Sequence, residues 1–153
     1  MTDTGKEIVR AARGWIGTRF SHQGRLRKTI SHSGGVDCLG LLVGVAQELD
    51  LRDGLGNRLS QADECQYSHL PDVQYLESVL ARLMRPVDTR ALAPGDVLML
   101  QVGDRPQHLG IVSDHLAGLG LIHAYAPARA VVEHALDAWW KKRIHAAFRI
   151  ENH

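Results

Sequence analysis

The sequence predicts one α+β domain in which helices come first and an antiparallel sheet follows. Apolar residues recur at helical spacing in the first half of the chain, whereas the second half consists of short alternating segments separated by turns. Helices followed by a run of strands are typical of the α+β class. Because the 153 residues contain no internal repeat or linker, residues 1–153 are expected to form a single domain with its own core.

The first helix is expected close to the start of the chain. Thr4 and Glu7 form a capping box, and apolar residues follow at helical spacing. The helix is expected to stop at Gly17, since glycine favours the end of a helix. The next segment, from Phe20 to Gly35, is rich in Ser, His, Gly and Arg and is predicted to be a loop.

Two further helices are predicted before the sheet. The second runs from about Asp37 to Leu49, and its Gly40 and Gly44 would let another backbone approach closely. After a polar, irregular segment, Asp72 is expected to cap the third helix, which ends before Pro86.

Five short strands are predicted in the second half of the chain. The turn sequence "APGD" leads into the first of them, and a closing strand follows the "WWKKR" segment. The predicted strands are 96–102, 108–114, 118–126, 130–136 and 144–150.

The composition and the N-terminal segment indicate which partners and which compartment are expected. A net charge of +1 gives no general reason to expect nucleic acid as a partner, and no apolar run approaches the length of a membrane span. The N-terminal segment "MTDTGKEIVRAARGW" lacks the apolar region of a signal peptide, so synthesis in the cytoplasm is expected. Two cysteines, Cys38 and Cys65, are too few for a disulfide scaffold.

The segment "GGVDCLGLL" delivers Cys38 to the first turn of the second helix. A thiol becomes a good nucleophile as thiolate, and a helix N-terminus favours that anion through its unpaired N–H groups and its dipole. The same N–H groups could hold the oxyanion that forms when a carbonyl is attacked. If Cys38 is activated in this way, iodoacetamide should label it well below pH 8.5 and faster than Cys65. The alternative is that Cys38 is a small buried apolar residue.

A nucleophilic thiol needs a base, and two histidines lie where strands could supply one. His108 opens the strand "HLGIV" and His123 lies within "LIHAYA". Paired strands can bring two imidazoles together, so that one accepts the thiol proton and the other fixes its tautomer. The alternatives are a surface histidine at 108 and a core histidine at 123. The other histidines are treated as background: His22, His32, His69, His115, His134, His145 and His153.

A metal site would be a competing use of the same residue types. Zinc sites usually contain close ligand pairs such as CxxC or HxxxH, and neither pattern occurs convincingly in this chain. No metal site is therefore predicted. Cys65, in the polar segment "DECQYSH", has no histidine at motif spacing and is expected to be structural or incidental.

The order of these motifs resembles that of the NlpC-type cell-wall cysteine peptidases, which are papain-like enzymes. The resemblance rests on "DCLGL", then "PGD" before a strand, then "HLGIV" and "IHA", and it extends from Trp15 to Ile150. It implies a papain-like fold and cleavage of amide bonds in peptidoglycan stem peptides without a cofactor. By the same resemblance, Cys38 is the nucleophile, His108 the general base and His123 the third polar residue that orients it.

Several longer segments are similar to the branch of this family found in the tails of phages and gene transfer agents. They include "VDCLGLLVGVAQEL", "PGDVLMLQVGD" and "WWKKRIHAAFRI". The resemblance implies phage-like tail proteins as partners and delivery to the cell wall on a particle, where the protein would be a virion component. The chain departs from the family where many relatives have an active-site tyrosine, because Phe20 stands there, and Leu39 replaces the serine that often follows the nucleophile.

The sequence thus favours a cysteine peptidase that acts on peptidoglycan, with Asp37 and Phe20 adjacent to the nucleophile or near its oxyanion site. Two alternatives stay open. One is a non-catalytic tail-assembly or wall-binding module with the same fold, and the other is an amidase or acyltransferase with another acyl substrate. For docking onto a tail, the candidate surfaces are the basic region from Arg10 to Lys28 and the polar segment 54–71.

Overall fold

The computed structural model describes residues 3–62, 73–103, 105–116 and 118–151. Its α-helices are α1 (Asp3–Arg13), α2 (Cys38–Glu48), α3 (Val73–Leu83) and the short α4 (Ala138–Lys141). Its strands are β1 (Arg25–Leu26), β2 (Gly35–Val36), β3 (Arg85–Val87), β4 (Val97–Val102), β5 (Arg105–His115), β6 (Gly118–Tyr125), β7 (Ala130–Ala135) and β8 (Ile144–Arg149). Short 3-10 helices occur at Leu59–Ala62 and Ala126–Ala128.

Six strands form one antiparallel sheet in the order β3-β8-β4-β5-β6-β7. Strands β4 to β7 follow one another as hairpins, and β8 returns to pair with the outer side of β4. The α+β class predicted from the sequence is confirmed, and all five predicted strands are present. The shift of period from helical to alternating was sufficient to locate them.

The sheet is buried on both faces, so alternate residues of a strand enter different cores. Val97 and Met99 of β4 belong to the main core, in which α1, α2 and α3 cover the sheet. Leu98 and Leu100 of the same strand face the opposite side, where Trp140 of α4 closes a smaller core. This second layer was not predicted, because α4 is only four residues long and has no helical period to detect.

The first helix differs from its prediction at both ends. The helix begins at Asp3, so Thr4 lies inside it, one residue beyond its start. It ends at Arg13, four residues before Gly17, because the N–H groups that follow turn to carbonyls three residues back. Gly17 has a φ of +91°, and its N–H donates a 2.9 Å hydrogen bond to the carbonyl oxygen of Val131 in β7.

The segments between helices are more ordered than predicted. The predicted loop 20–35 contains β1 and pairs it with β2 as a two-stranded ribbon that ends directly before α2. Strand β3, which includes Pro86, extends the sheet beyond the third helix. The predicted Asp72 cap lies outside the described residues. No helix in the described ranges is long and apolar enough to cross a membrane.

Candidate active site

Asp37 sets the start of the helix that carries the thiol. Its backbone is extended, and its Oδ1 accepts a 2.7 Å hydrogen bond from the N–H of Gly40. The other carboxylate oxygen accepts a 2.9 Å bond from the N–H of Gln23, and Arg25 forms a 3.0 Å ion pair with Oδ1. Asp37 thus caps α2 in the usual way and ties it to the preceding ribbon. Because a carboxylate only accepts hydrogen bonds, Asp37 shapes the helix start and does not itself stabilise an oxyanion.

Two glycines of α2 let other parts of the chain pack closely against the helix, and the neighbouring group differs between them. A Cβ on Gly40 would lie 2.3 Å from the carbonyl oxygen of Gly24, so the close approach of another backbone predicted there is present. A Cβ on Gly44 would instead lie 2.2 Å from the ring of Trp15. The neighbour at Gly44 is therefore an aromatic side chain and not the backbone that the sequence predicted. Trp15 in turn donates a 2.9 Å hydrogen bond to Glu48 at the end of the same helix.

Cys38 is half-buried at the first position of α2, and its sulfur lies among backbone donors. The backbone N–H groups of Leu109, Leu39 and Cys38 itself face the sulfur and favour the thiolate. Leu109 follows His108 in β5, so the thiol lies beside the strand that carries the predicted base. Of the hydrogen bonds made by the described residues, none joins the Cys38 sulfur directly to the His108 ring. Catalytic hydrogen bonds of this kind often tighten when substrate is bound.

Burial raises the pKa of the Cys38 thiol to about 11, and the Asp37 carboxylate adds to that rise. The three backbone donors act in the opposite direction but are outweighed. The expectation of a thiolate at the helix start in the resting protein is therefore corrected, because desolvation disfavours the anion more than the helix start favours it. Burial also lowers the pKa of His108 to about 4, so both groups are neutral at pH 7.

This charge state predicts slow alkylation of Cys38 at neutral pH. A thiol with a pKa near 11 has a far smaller thiolate fraction at pH 7 than an ordinary thiol with a pKa of about 8.5, so iodoacetamide should react roughly a hundredfold more slowly than with free cysteine. The rate should keep rising above pH 9. Peptide mass spectrometry over pH 5–11 measures it, and a plateau below pH 7 would show a preformed thiolate instead.

His108 and His123 meet across neighbouring strands of the sheet. Nε2 of His108 lies 2.6 Å from Nδ1 of His123, a short hydrogen bond between the two rings. Between them lies Gly110, where a Cβ would come within 3.4 Å of the His123 Cβ and 2.5 Å of Leu121. The glycine of "HLGIV" therefore leaves space for the Leu121 side chain, while the His123 Cβ lies at ordinary contact distance. The pairing of two imidazoles predicted from the sequence is present in the structure.

His134 is a third member of this group, although the sequence predicts no role for it. Its Nε2 lies 2.8 Å from Nε2 of His123, and its Nδ1 lies 2.9 Å from the carbonyl oxygen of Ala135. The register of β6 and β7 causes the contact, because Leu121 pairs with His134 and His123 pairs with Val132. Sequence spacing alone carries no signal for this contact, which depends on how the two strands pair.

Aromatic rings enclose the histidines on the side of α4. The Tyr125 ring stacks on His123 with 5.0 Å between centroids, and the Trp140 ring meets His123 edge to face at 4.9 Å. Asp137 fixes Trp140 by accepting a 3.1 Å hydrogen bond from its backbone N–H. His123 is completely buried in this setting. The enclosure limits rotation of the ring and keeps water from it.

Burial of the histidines predicts a loss of stability in acid. Burial, together with the neighbouring His108 and His134, lowers the pKa of His123 to about 2, and burial lowers that of His108 to about 4. Both histidines protonate near pH 6.5 in the unfolded chain, so stability is complete above 6.5 and is lost as pH falls towards 4 and then 2.

Each of these histidines should remove about 1.4 kcal/mol of unfolding free energy per pH unit in that window. Urea denaturation between pH 7 and 4 measures the slope, and His123→Asn should reduce it. The exposed histidine variant His145→Asn serves as the control and should keep the wild-type slope. Equal slopes for all three proteins would show that His123 is not held neutral.

The remaining predicted positions contribute shape more than chemistry. Phe20 packs against the main core. Its N–H donates to the carbonyl oxygen of Arg129, just before β7, and it forms a bridge with Val36 of β2. Its side chain supplies no polar group to the site. Cys65 lies outside the described residues. Among the residues that are described, no group of three or more His, Cys, Asp or Glu side chains is arranged to hold a metal ion.

Comparison with known proteins adds information on the fold. No protein-family model matches the sequence, and no curated protein sequence matches it. The structure is similar to the NlpC/p60 domain of the peptidoglycan hydrolase SagA, with 20% identity, 95% of this chain and 98% of that chain covered, and a TM-score of 0.60.

Two further solved structures have the same arrangement. The peptidoglycan hydrolase RipB from Mycobacterium tuberculosis is 18% identical over 97% of this chain and 65% of its own, with a TM-score of 0.58. An N-acetylmuramoyl-L-alanine amidase from Bacteroides uniformis is 13% identical over 99% of this chain and 100% of its own, also with a TM-score of 0.58. The chain therefore has the fold of the NlpC/p60 hydrolases.

Proposed function

We propose that the protein is a cysteine peptidase that hydrolyses amide bonds in the stem peptides of peptidoglycan. The observation that carries the proposal is the position of Cys38, whose sulfur lies among the N–H groups of a helix start and beside the strand that bears the paired His108 and His123. The fold shared with structures described as peptidoglycan hydrolases supports the choice of substrate. The activity itself is inferred from the side chains.

In the proposed reaction, the neutral thiol and the neutral imidazole meet the substrate together. His108 takes the proton of Cys38 while the sulfur attacks the amide carbonyl, and backbone N–H groups at the start of α2 hold the resulting oxyanion. His108 then gives that proton to the leaving amine as the C–N bond breaks. Water, deprotonated by His108, finally hydrolyses the thioester and restores the thiol. His123 accepts the hydrogen bond of His108 throughout and stabilises its charged form.

Mass spectrometry of defined muropeptides incubated with the protein tests the proposal. Cleavage within the stem peptide is the expected result, and it should continue in EDTA but stop after Cys38 has been alkylated at alkaline pH. Release of intact stem peptide from the sugar would instead assign an amidase, the activity named for one of the similar structures. Binding to muropeptides without any cleavage would favour the non-catalytic wall-binding module.

We further propose that the protein acts as part of a phage-like tail and reaches the cell wall on a particle. This rests on the similarity of long segments such as "VDCLGLLVGVAQEL" to tail peptidases. Of the basic region considered for docking, Arg13, Arg25 and Arg27 form ion pairs with acidic residues of this chain, which leaves a smaller basic surface than the sequence suggested. Proteomics of purified particles should find the protein at a few copies each. Its recovery only outside particles would overturn the tail assignment and leave the peptidase assignment intact.

A further inference from the structure

Three imidazoles and one carbonyl form a continuous hydrogen-bonded row in this protein. The row runs from His108 to His123 at 2.6 Å, from His123 to His134 at 2.8 Å, and from His134 to the carbonyl oxygen of Ala135 at 2.9 Å. It begins at the predicted base and ends at a fixed backbone group of β7. The two imidazoles assigned to the peptidase reaction account for only its first part.

The carbonyl at the end of the row determines where every proton in it lies. A carbonyl oxygen has no proton to donate, so Nδ1 of His134 must be the donor of that bond. In neutral His134 this leaves a lone pair on Nε2, which must accept the N–H of His123.

The same argument passes along the row to the base. With its proton on Nε2, His123 has a lone pair on Nδ1 and accepts the N–H of His108 at Nε2. The nitrogen of His108 that remains is Nδ1, and its lone pair is free to accept a proton. A single tautomer is therefore set for each of the three rings.

We infer that His134 is a positioning residue of the active site, which fixes the tautomers of His123 and His108 so that Nδ1 of His108 acts as the base. The role in catalysis rests on the proposed peptidase function, whereas the tautomers follow from the hydrogen bonds alone. Without His134, the Nε2–H form of His123 loses its acceptor, and the Nδ1–H form becomes competitive. That form has no lone pair facing His108 and would turn the base into the wrong tautomer.

The surroundings of the row support this role. Tyr125 and Trp140 hold the His123 ring in place, so a change of tautomer cannot be relieved by turning the ring over. His134 also packs against Trp140, with 5.4 Å between centroids. Because the three rings bond directly to one another, the tautomer of one ring is transmitted to the next without an intervening water.

The tautomers can be measured directly in the full-length protein by long-range proton–nitrogen NMR of 15N-histidine. The wild type should show protons on Nδ1 of His134 and on Nε2 of His123 and His108. In His134→Leu, the His123 and His108 signals should shift towards the other tautomer or a mixture. In His134→Gln, an amide oxygen can accept the His123 N–H, and the wild-type pattern should return. Unchanged His123 and His108 signals in His134→Leu would overturn the inference.

Hydrolysis of muropeptides provides the second readout. His134→Leu should lower kcat about tenfold with little change in KM, the loss expected when most molecules hold the base in an unreactive form. His134→Gln should recover most of that loss, and His145→Leu, a change of a strand histidine outside the row, should have no effect. A normal kcat in a folded His134→Leu would also overturn the role. The predicted NMR pattern in a protein that hydrolyses nothing would support the tautomer assignment and refute the peptidase function.

Discussion

Replacing Cys38 with alanine is expected to abolish muropeptide hydrolysis while leaving the fold unchanged. Removal of a catalytic nucleophile lowers kcat by a factor on the order of a thousand or more, because no other group in the site can form the acyl intermediate. The cost in stability should be within about 1 kcal/mol, since the lost group is a neutral, half-buried thiol at a helix start. Product analysis and urea denaturation measure the two effects separately.

Two variants sharpen this test. Cys38→Ser keeps a small polar atom among the same backbone donors, yet it should remain nearly inactive, since His108 must then deprotonate a hydroxyl group. Cys65→Ala changes the other cysteine, for which the sequence predicts no role in the reaction, and should keep full activity. Hydrolysis that survives in purified Cys38→Ala would place the chemistry elsewhere in the molecule.

The parts of the site that could be predicted from the sequence are those that local patterns encode. The Asp37 cap and the small residues after it show where α2 begins, so the position of Cys38 at a helix start follows from a few neighbouring letters. The alternation of β5 and β6 located His108 and His123 on strands. Their contact was accessible as well, because a hairpin with a short turn leaves few choices of register.

Other parts depend on contacts that no local pattern encodes. The sequence predicts no role for His134, because its contacts come from a diagonal pairing between β6 and β7 and from the carbonyl of the next residue. Trp140 was missed for a similar reason, since α4 has only one turn. The sequence predicts a pKa of Cys38 below its usual value, whereas burial raises it above that value. A helix start can be recognised in the sequence, but the desolvation of the sulfur depends on the folded structure.

Phe20 fits this division, because it adds apolar contact and packs against the main core. In the structure, the side-chain hydrogen bonds of the site lie instead in the row of His108, His123 and His134, and the rings of Tyr125 and Trp140 enclose that row. We therefore expect hydrolysis to depend more on the integrity of that row than on position 20. Within the row, His108, the proposed base, is expected to matter most for hydrolysis.

Replacing His108 with alanine is expected to lower kcat by a factor on the order of a thousand, the usual contribution of a general base. The reason is the resting charge state, in which burial holds Cys38 as a thiol with a pKa of about 11 and leaves very little thiolate to react unaided at pH 7. The variant also leaves Nδ1 of His123 without its 2.6 Å partner, so a stability cost of about 1–3 kcal/mol is expected. A structural defect must therefore be separated from the chemical one.

His108→Gln makes that separation, because its amide N–H can occupy the place of Nε2 and donate to His123 while offering no base for the thiol. It should be close to wild type in urea denaturation and as inactive as His108→Ala at pH 7. Its activity should rise steadily towards pH 11, where hydroxide can generate the thiolate that His108 no longer forms. His145→Gln, a change of an exposed histidine on β8, should keep the wild-type pH profile. If His108→Gln retained near-normal kcat at pH 7, proton transfer to His108 could not be the step that activates Cys38.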